Sequence, residues 1–386
     1  GGRAPQDDHA VMRALVDPPL PPPREWLQAA DPAPAPAGTR PPPRLTLLCR
    51  TRAQAEAALQ LEEGLVHELQ LDFLEAQGLE EAVEAARAAG RRVAACLPRV
   101  LKPGEDKIWL FYLRLRADAL LVRSAGALYQ LSGFGAGGEA EGADDAAAEA
   151  GEEASGPRPE LIGDFSLNAA NAVTAAALLE VPGLRRLTPT HDLSAGQICR
   201  LARGLGPERA ARLEVVAHQH LPIFHTEHCV FARHLSNGND FRDCGHPCER
   251  HAVHLRDVGG KDHAVLADMG CRNTVFNAAA QSAANDLAHL AAAGVGYLRL
   301  ELVDEPAEAV GPLVRHYHGA LRGEVGPQEL WEFLERLPDS NGRMQGVGSG
   351  SLDDGGWRAR APTSLRPAAS ATRRGPKEKR RRGRSR

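Results

Sequence analysis

Four of the seven cysteines lie in one stretch, residues 224–273, and they carry the strongest chemical signal in the sequence. They are Cys229, Cys244, Cys248 and Cys271, with 14, 3 and 22 residues between them in turn. Thiolates are soft ligands that suit both zinc and iron–sulfur clusters. Because the surrounding residues are rich in Gly and Asn and show no disulfide pattern, we predict that these four cysteines ligate metal. Loop cysteines with no ligand role are the alternative.

Seven histidines crowd the same stretch: His225, His228, His234, His246, His251, His254 and His263. His225 and His228 lie three apart around Glu227, and on a helix they would share one face. That spacing resembles the helical zinc motif of metallopeptidases but lacks its four-residue separation. The sequence also contains no Gly-x-Ser-x-Gly nucleophile elbow. A hydrolytic site therefore has weak support from the motifs.

An alternation of short apolar strands with helices must position these residues. The predicted strands are 44–50, 67–75, 91–100, 119–124, 161–168, 184–193, 213–222 and 297–303, and the last two helices are 277–293 and 306–321. Eight strands, each followed by a helix or a long excursion, predict an α/β fold, a (β/α)8 TIM-type barrel with a cysteine-rich insertion after the seventh strand. A doubly wound open sheet is the alternative, although no glycine-rich fingerprint follows the first strand.

Polar residues follow the predicted strand ends, where a TIM barrel has its active site. They are Asp72, Arg99, Arg123, Asp164, Asn168, Thr190, His191, His218, His220 and Glu301. The cysteine stretch leaves the seventh strand at this same face, so we predict a metal site above a polar opening. The candidate catalytic residues are Arg99, Arg123, Asp164, His191, His218, His220, His225, Glu227 and His228. Local pairing or loop capping is the alternative for each of them.

The predicted barrel, residues 44–325, is flanked and interrupted by segments of biased composition. Residues 1–43 are rich in Pro and Ala, residues 133–159 are acidic, and residues 326–386 end in RRGPKEKRRRGRSR. We predict that all three are disordered. Arg380, Arg381 and Arg382 are candidate contacts to RNA phosphates, with a solubility or localisation tail as the alternative.

No run of eighteen apolar residues exists, so no membrane span is predicted. The cysteines do not suggest a secreted disulfide framework. We expect an intracellular protein, with cytoplasm and plastid both open.

Five segments together resemble a known family. They are IGDFSLNAANA, RLTPTHDLSA, HQHLPIFHTEHCVF, RDCGHPCERH and ADMGCRNTVFN, between residues 162 and 277. They resemble peptidase family U32, the collagenase-like group, and are most similar to the large-protein branch that includes the bacterial ribosomal-RNA cytidine hydroxylase. The resemblance extends over about residues 44–323 and is most specific around the cysteines.

The resemblance implies that Cys229, Cys244, Cys248 and Cys271 ligate one 4Fe-4S cluster at the opening of the barrel. It further implies oxygen-independent hydroxylation of a pyrimidine base in ribosomal or transfer RNA, with prephenate as a co-substrate. Arginine and histidine at the strand ends could then hold a carboxylate donor or an RNA phosphate. A collagenase-like peptidase using His225, Glu227 and His228 is one alternative. A non-catalytic barrel that binds structural zinc is the other.

Overall fold

The computed structural model describes residues 41–133 and 158–353. The greater part of the predicted linker, residues 1–40, lies outside the described residues. So do residues 134–157 of the acidic insert and residues 354–386 of the basic tail, including Arg380, Arg381 and Arg382.

All eight strands expected from the sequence are present, and they pair in parallel. They are β1 (Arg44–Cys49), β2 (Glu68–Leu71), β3 (Val93–Cys96), β4 (Ala119–Val122), β5 (Glu160–Gly163), β6 (Leu184–Leu187), β7 (Glu214–Gln219) and β13 (Tyr297–Glu301). Their order across the sheet is β7-β13-β1-β2-β3-β4-β5-β6. Nearly every strand residue is buried, as expected for a parallel sheet with both faces covered.

Two further short strands complete the ten-stranded sheet. β12 (Ala280–Ser282) pairs antiparallel with β7, and β14 (Val347–Gly348) pairs parallel with β12. At the other side, one isolated parallel bridge joins Leu187 of β6 to Leu213, the residue before β7. The result is a curled, parallel-rich sheet of the half-barrel kind, consistent with a TIM-like fold. The described residues show no continuous ladder between β6 and β7, so the fully closed barrel stays a prediction.

Ten helices are present in the described part of the chain. They are α1 (Arg52–Leu59), α2 (Leu79–Ala88), α3 (Asp106–Arg114), α4 (Ala125–Gly133), α5 (Ala172–Leu179), α6 (Ala195–Ala210), α7 (Val230–Leu235), α8 (Leu287–Ala292), α9 (Ala307–Arg322) and α10 (Pro327–Glu335). Thr51 and Ser194 begin α1 and α6 with complete capping boxes, which fix where each helix starts after its strand. None of these helices is long and apolar enough to cross a membrane.

A second sheet of four antiparallel strands lies between β7 and β12 in the chain. Its strands are β8 (Pro222–Thr226), β9 (Val253–Arg256), β10 (Asp262–Asp268) and β11 (Arg272–Phe276), in the order β8-β11-β10-β9. The DVGGKD segment is the turn between β9 and β10, as the sequence predicts. The sheet has a small core of its own, in which Phe231, Val265 and Val275 pack together with Cys229 and Cys248 at its edge.

Two expectations from the sequence are wrong. The predicted helix 277–293 is replaced by β12 and the short α8, because Gln281 and Ser282 pair with β7 instead of continuing a helix. The fold also continues past residue 325, within the segment predicted as a disordered tail. α10 begins with Pro327 at its first turn and buries Leu330 and Leu334, so this segment contributes to the core up to the end of the described residues.

Candidate functional site

The parallel strands end at one side of the curled sheet, which we call the mouth. The antiparallel sheet packs against the loops at the mouth. The Met269 amide donates to the Leu74 carbonyl after β2 at 2.8 Å, and the Arg272 guanidinium donates to the Val100 carbonyl after β3 at 3.1 Å. The cysteine-bearing sheet and the strand-end polar residues therefore share one region of the molecule.

Six buried charges at the mouth form a closed ring in which arginines and carboxylates alternate, and we call it the charge ring. Its contacts are Arg123–Asp164 (2.9 Å), Asp164–Arg299 (2.5 Å), Arg299–Glu301 (3.0 Å), Glu301–Arg50 (3.1 Å), Arg50–Asp72 (3.2 Å) and Asp72–Arg123 (2.8 Å). None of the six residues is more than 9% exposed. Three positive and three negative charges make the ring neutral, which is what allows it to be buried.

The ring accounts for two of the predicted catalytic residues. Arg123 binds Asp72 through two hydrogen bonds of 2.8 Å and Asp164 through one of 2.9 Å. Burial alone would raise the pKa of Asp164, but Arg299 and Arg123 outweigh it and hold that pKa well below its usual range. Both residues are thus fixed in their charged forms and already paired, which suits a rigid floor of the mouth rather than a proton-transfer group.

Arg99 and His191 lie beside the ring and are differently placed. The imidazole of His191 stacks on Phe165 with 3.7 Å between ring centroids, and the Arg99 guanidinium lies 5.3 Å from the centre of the same phenyl ring. Burial lowers the pKa of His191 to about 4. Burial and the neighbouring Arg123 lower the pKa of Arg99. The aromatic ring of Phe165 therefore positions a neutral imidazole and a cation together at the mouth.

His218 and His220 converge on a carboxylate that the sequence did not single out. Their Nε2 atoms lie 2.9 and 3.1 Å from the same oxygen of Glu305. Burial lowers the pKa of His220, but Glu305 outweighs it and the net shift is upward, while the pKa of Glu305 falls well below its ordinary value despite burial. Tyr317 continues this cluster, since its hydroxyl lies 3.4 Å from Nδ1 of His218. Both imidazoles therefore already have a buried hydrogen-bond partner in Glu305.

His225, Glu227 and His228 do not lie on a helix, so they do not share a helical face. His225 lies in strand β8, and its Nδ1 lies 3.0 Å from the Thr274 hydroxyl. Glu227 forms ion pairs with Lys102 and Arg272, and its pKa is lowered by these partners. In the described residues no three His, Cys, Asp or Glu side chains converge closely enough to bind a single metal ion.

The four predicted cysteine ligands are free thiols, and each is partly exposed. The electrostatic neighbours of Cys271 include Cys229 and Cys244, and those of Cys248 include Cys229. Backbone amides donate to two of the sulfurs: Ala232 to Cys229 at 3.4 Å and Phe241 to Cys271 at 3.1 Å. Four thiols with amide donors are a suitable donor set for an iron–sulfur cluster, which takes one thiolate on each of its irons.

The backbone around these thiols is unusual. Cys271 has a φ of 59°, and His246, between Cys244 and Cys248, has a φ of 53°, so both adopt the left-handed conformation that non-glycine residues seldom use. A Cβ on Gly238 would lie 2.5 Å from the amide nitrogen of Cys244. Such strained or crowded positions persist where the surrounding structure fixes them, and they concentrate at functional sites.

An open cleft of ≈ 400 Å³ lies next to Cys248, between the antiparallel sheet and the loops after β1, β2 and β13. Its walls include Arg50 of the charge ring, Phe73, Glu75 and His254. His254 is itself paired with Asp304 at 3.1 Å. A small molecule in this cleft would contact both a predicted metal ligand and the charge ring.

Residues 154–339 match the sequence model of peptidase family U32. This part of the chain is therefore similar to peptidase family U32. The comparison with curated proteins gave no match.

Three solved structures show partial similarity. They are a fructose-1,6-biphosphate aldolase assignment from Coccidioides immitis (13% identity, 45% of this chain and 63% of that chain, TM-score 0.30), the YdjI aldolase of Escherichia coli K12 (12%, 78% and 93%, 0.36) and catalytic domain 2 of the Ostrinia furnacalis group II chitinase (12%, 74% and 98%, 0.37).

Sequence reasoning missed four charged residues of this region: Arg50, Asp268, Arg299 and Glu305. Arg50 and Glu305 closely follow β1 and β13, so the rule that selected the other strand-end residues could have found them. Asp268 ends β10 and is almost fully buried, and burial raises its pKa to about 7. Arg299 lies inside β13 with no local sign of its role. The amide of Asn168 donates to the Phe165 carbonyl, and Thr190 contacts Asp192 through its hydroxyl and Ala169 through its amide.

Proposed function

We propose that this protein is an iron–sulfur-dependent RNA-modifying enzyme of the U32 type. In this proposal Cys229, Cys244, Cys248 and Cys271 hold one 4Fe-4S cluster, and the parallel strands close into a (β/α)8 barrel beneath it. The reaction is the oxygen-independent hydroxylation of a pyrimidine base in ribosomal or transfer RNA. The cluster, when bound, supplies one-electron redox chemistry.

The single observation that supports this proposal most is that all four free thiols lie in the segments connecting the strands of the small sheet at the mouth. Cys229 and Cys248 pack on the same core, and Cys229 and Cys244 both contribute to raising the pKa of Cys271. The sulfurs of Cys229 and Cys271 accept hydrogen bonds from backbone amides, and such hydrogen bonds stabilise thiolate charge. The chain's own contribution would be to orient the substrate over the charge ring and to limit access of water.

The first experiment is anaerobic purification of the full chain, followed by measurement of iron, sulfide and zinc. We expect about four irons with matching sulfide, and their loss in a Cys244→Ala, Cys248→Ala double variant. Cys96→Ala, which removes a cysteine of the core of the parallel sheet, is the control and should retain the iron. Stoichiometric zinc without sulfide would refute the redox mechanism and support a structural zinc site.

The second experiment examines the product. Conversion of a pyrimidine C–H to C–OH with oxygen from water releases two electrons and two protons, so the assay includes an electron acceptor. Ribosomal and transfer RNA incubated with the iron-loaded protein, that acceptor and a small carboxylate co-substrate such as prephenate should gain one oxygen atom on a pyrimidine, as detected by nucleoside mass spectrometry. The double cysteine variant should give no such product. Replacement of Arg380, Arg381 and Arg382 by glutamine should weaken RNA binding and reduce its salt dependence, because each lost phosphate contact lowers the number of released counterions.

Peptidase activity is the second candidate, favoured by the description of the family whose model matches. A hydroxyl–imidazole pair, Thr274 with His225, is present at the mouth. However, Thr274 is only 6% exposed, so a peptide bond could not reach it without rearrangement of the sheet. Cleavage of denatured collagen by wild type, and its loss in His225→Gln, would support this candidate over RNA modification.

A further inference from the structure

Arg99 is a half-buried cation at the mouth that lacks a carboxylate partner. Within the described residues it forms no hydrogen bond or ion pair, and its nearest defined neighbour is the Phe165 ring at 5.3 Å. The nearby carboxylate of Asp164 is already bound by Arg123 and Arg299. A guanidinium has five donors arranged for planar oxyanions, so an unpaired one in a partly desolvated position is a ready anion site.

Two imidazoles near Arg99 each have a buried nitrogen with no hydrogen-bond partner among the described residues. These atoms are Nε2 of His191 and Nε2 of His225. Phe165 brings Arg99 and His191 together, and Arg99 contributes to lowering the pKa of both histidines, so its guanidinium lies within electrostatic range of each of them. A buried polar atom without a partner costs about 1–3 kcal/mol. Two such atoms beside an unpaired arginine indicate that a ligand completes the site.

The charges around this group leave a net positive potential. Three charged residues shift the pKa of Arg99: Arg123, Asp164 and Asp268. Arg123 and Asp164 belong to the neutral charge ring. The pKa of His191 is also shifted by Glu301 and Arg299, which again belong to the charge ring. The pKa of His225 is shifted by Arg272 and Glu227, which are paired with each other. Asp268 is the remaining carboxylate, with its Oδ2 3.8 Å from Nδ1 of His225, and its burial disfavours the charged form. An incoming anion would therefore be attracted.

We propose that Arg99, His191 and His225 form a subsite for a small oxyanion, either a carboxylate or a phosphate group. Phe165 contacts both Arg99 and His191 and so fixes the guanidinium and one imidazole before the ligand arrives. The inference deepens the proposed function, on which its meaning as a substrate subsite rests. A free small acid and an RNA backbone phosphate share this chemistry, and the experiment below separates them.

Isothermal titration of the full chain with malonate and with inorganic phosphate, at constant ionic strength, tests the subsite. We expect saturable binding of at least one anion and binding roughly tenfold weaker or worse in Arg99→Gln, since a charge-assisted hydrogen bond is lost. Arg322→Gln removes an exposed arginine of α9 and is the matched control, expected to bind as wild type does. His191→Gln and His225→Gln should each weaken binding several-fold.

Arg99→Lys is a second variant, and it keeps the proposal testable if the Arg99→Gln protein does not fold. It keeps the charge but loses the planar fork, so malonate binding should fall less than in Arg99→Gln. Equal binding by wild type, Arg99→Gln and Arg99→Lys would overturn the proposal, as would no binding of either anion by wild type. Competition between malonate and a short oligouridylate would assign the subsite to an RNA phosphate, and its absence would assign it to a free acid.

The result is independent of the cluster. Iron content and base modification are measured separately on the same preparations. If the wild-type protein contains no iron and modifies no base but still binds the anion, the proposed function is refuted and the subsite is not. Intact base modification in Arg99→Gln, together with unchanged anion binding, would refute the subsite alone.

Discussion

Replacing Arg123 with methionine should strongly destabilise the protein. The change removes three hydrogen bonds, two to Asp72 and one to Asp164, and leaves the charge ring with one excess negative charge in a buried position. Each bond to a charged group contributes about 1.5–3 kcal/mol, but the three are not additive. Removing one partner from a buried ion pair costs about 3–5 kcal/mol, and we expect a loss in unfolding free energy of that size.

The expected loss depends on pH. The pKa of Asp164 is held low in the native protein, so this carboxylate contributes stability above its unfolded pKa of about 3.9, and the contribution is lost as pH falls. Without Arg123 the pKa of Asp164 rises, and native Asp164 can take up a proton under mildly acidic conditions. The difference between wild type and variant should therefore be larger at about pH 8 than at about pH 5.

The assay is urea unfolding followed by far-ultraviolet circular dichroism and tryptophan fluorescence, on preparations of matched metal content. Arg209→Met is the control, because Arg209 pairs with Glu180 on the exposed surface and should cost less than about 1 kcal/mol. The double variant Arg123→Met, Asp72→Leu removes neighbouring opposite charges, so the remaining four stay neutral. It should be less destabilised than the single variant by about 1 kcal/mol or more. If Arg123→Met costs no more than Arg209→Met, the reasoning about the ring is refuted.

Three further predictions concern residues outside the ring. Burial raises the pKa of Asp268 to about 7, so the native protein loses stability as pH rises from about 4 to 7 and this carboxyl ionises. Asp268→Asn should remove this loss. In urea unfolding at pH 8, the variant should therefore gain up to about 4 kcal/mol of unfolding free energy from the change. Glu305→Gln should lower the unfolding free energy by about 3 kcal/mol, because it removes the charged partner of His220. The loss should be greatest between about pH 4.3 and 6.5, where both partners of the pair are charged. A loss that does not vary with pH would contradict the pairing. Gly296→Ala should cost about 3 kcal/mol or more, because the new Cβ would lie 1.9 Å from the Ala211 carbonyl oxygen. Gly326→Ala meets no atom within 4 Å and should leave the melting temperature near that of wild type.

Much of the fold could be predicted because its signals are local. Each parallel strand is a short run of Leu, Val or Ala bounded by a helix with its own capping signal, as at Thr51 and Ser194. Prediction failed where pairing partners decide the structure. The segment after Phe276 reads as helical, yet three of its residues form β12 because β7 offers an open edge there. α10 was missed because a Pro- and Gly-punctuated segment hides an amphipathic turn that only its contacts reveal.

The sequence by itself determined which chemical groups are available and at which end of the sheet most of them lie. Four cysteines within one stretch, and polar residues at the ends of apolar strands, are visible without coordinates. The partners of those groups were decided by the tertiary structure alone. Arg50 meets Glu301 across 251 positions of the chain, and Asp164 meets Arg299 across 135. Curling of the sheet brings the strand ends together, so it selects which arginines are neutralised in the charge ring and leaves Arg99 unpaired beside two imidazoles. Ion pairing acts over a few ångströms in space, and no pattern along the chain encodes that distance.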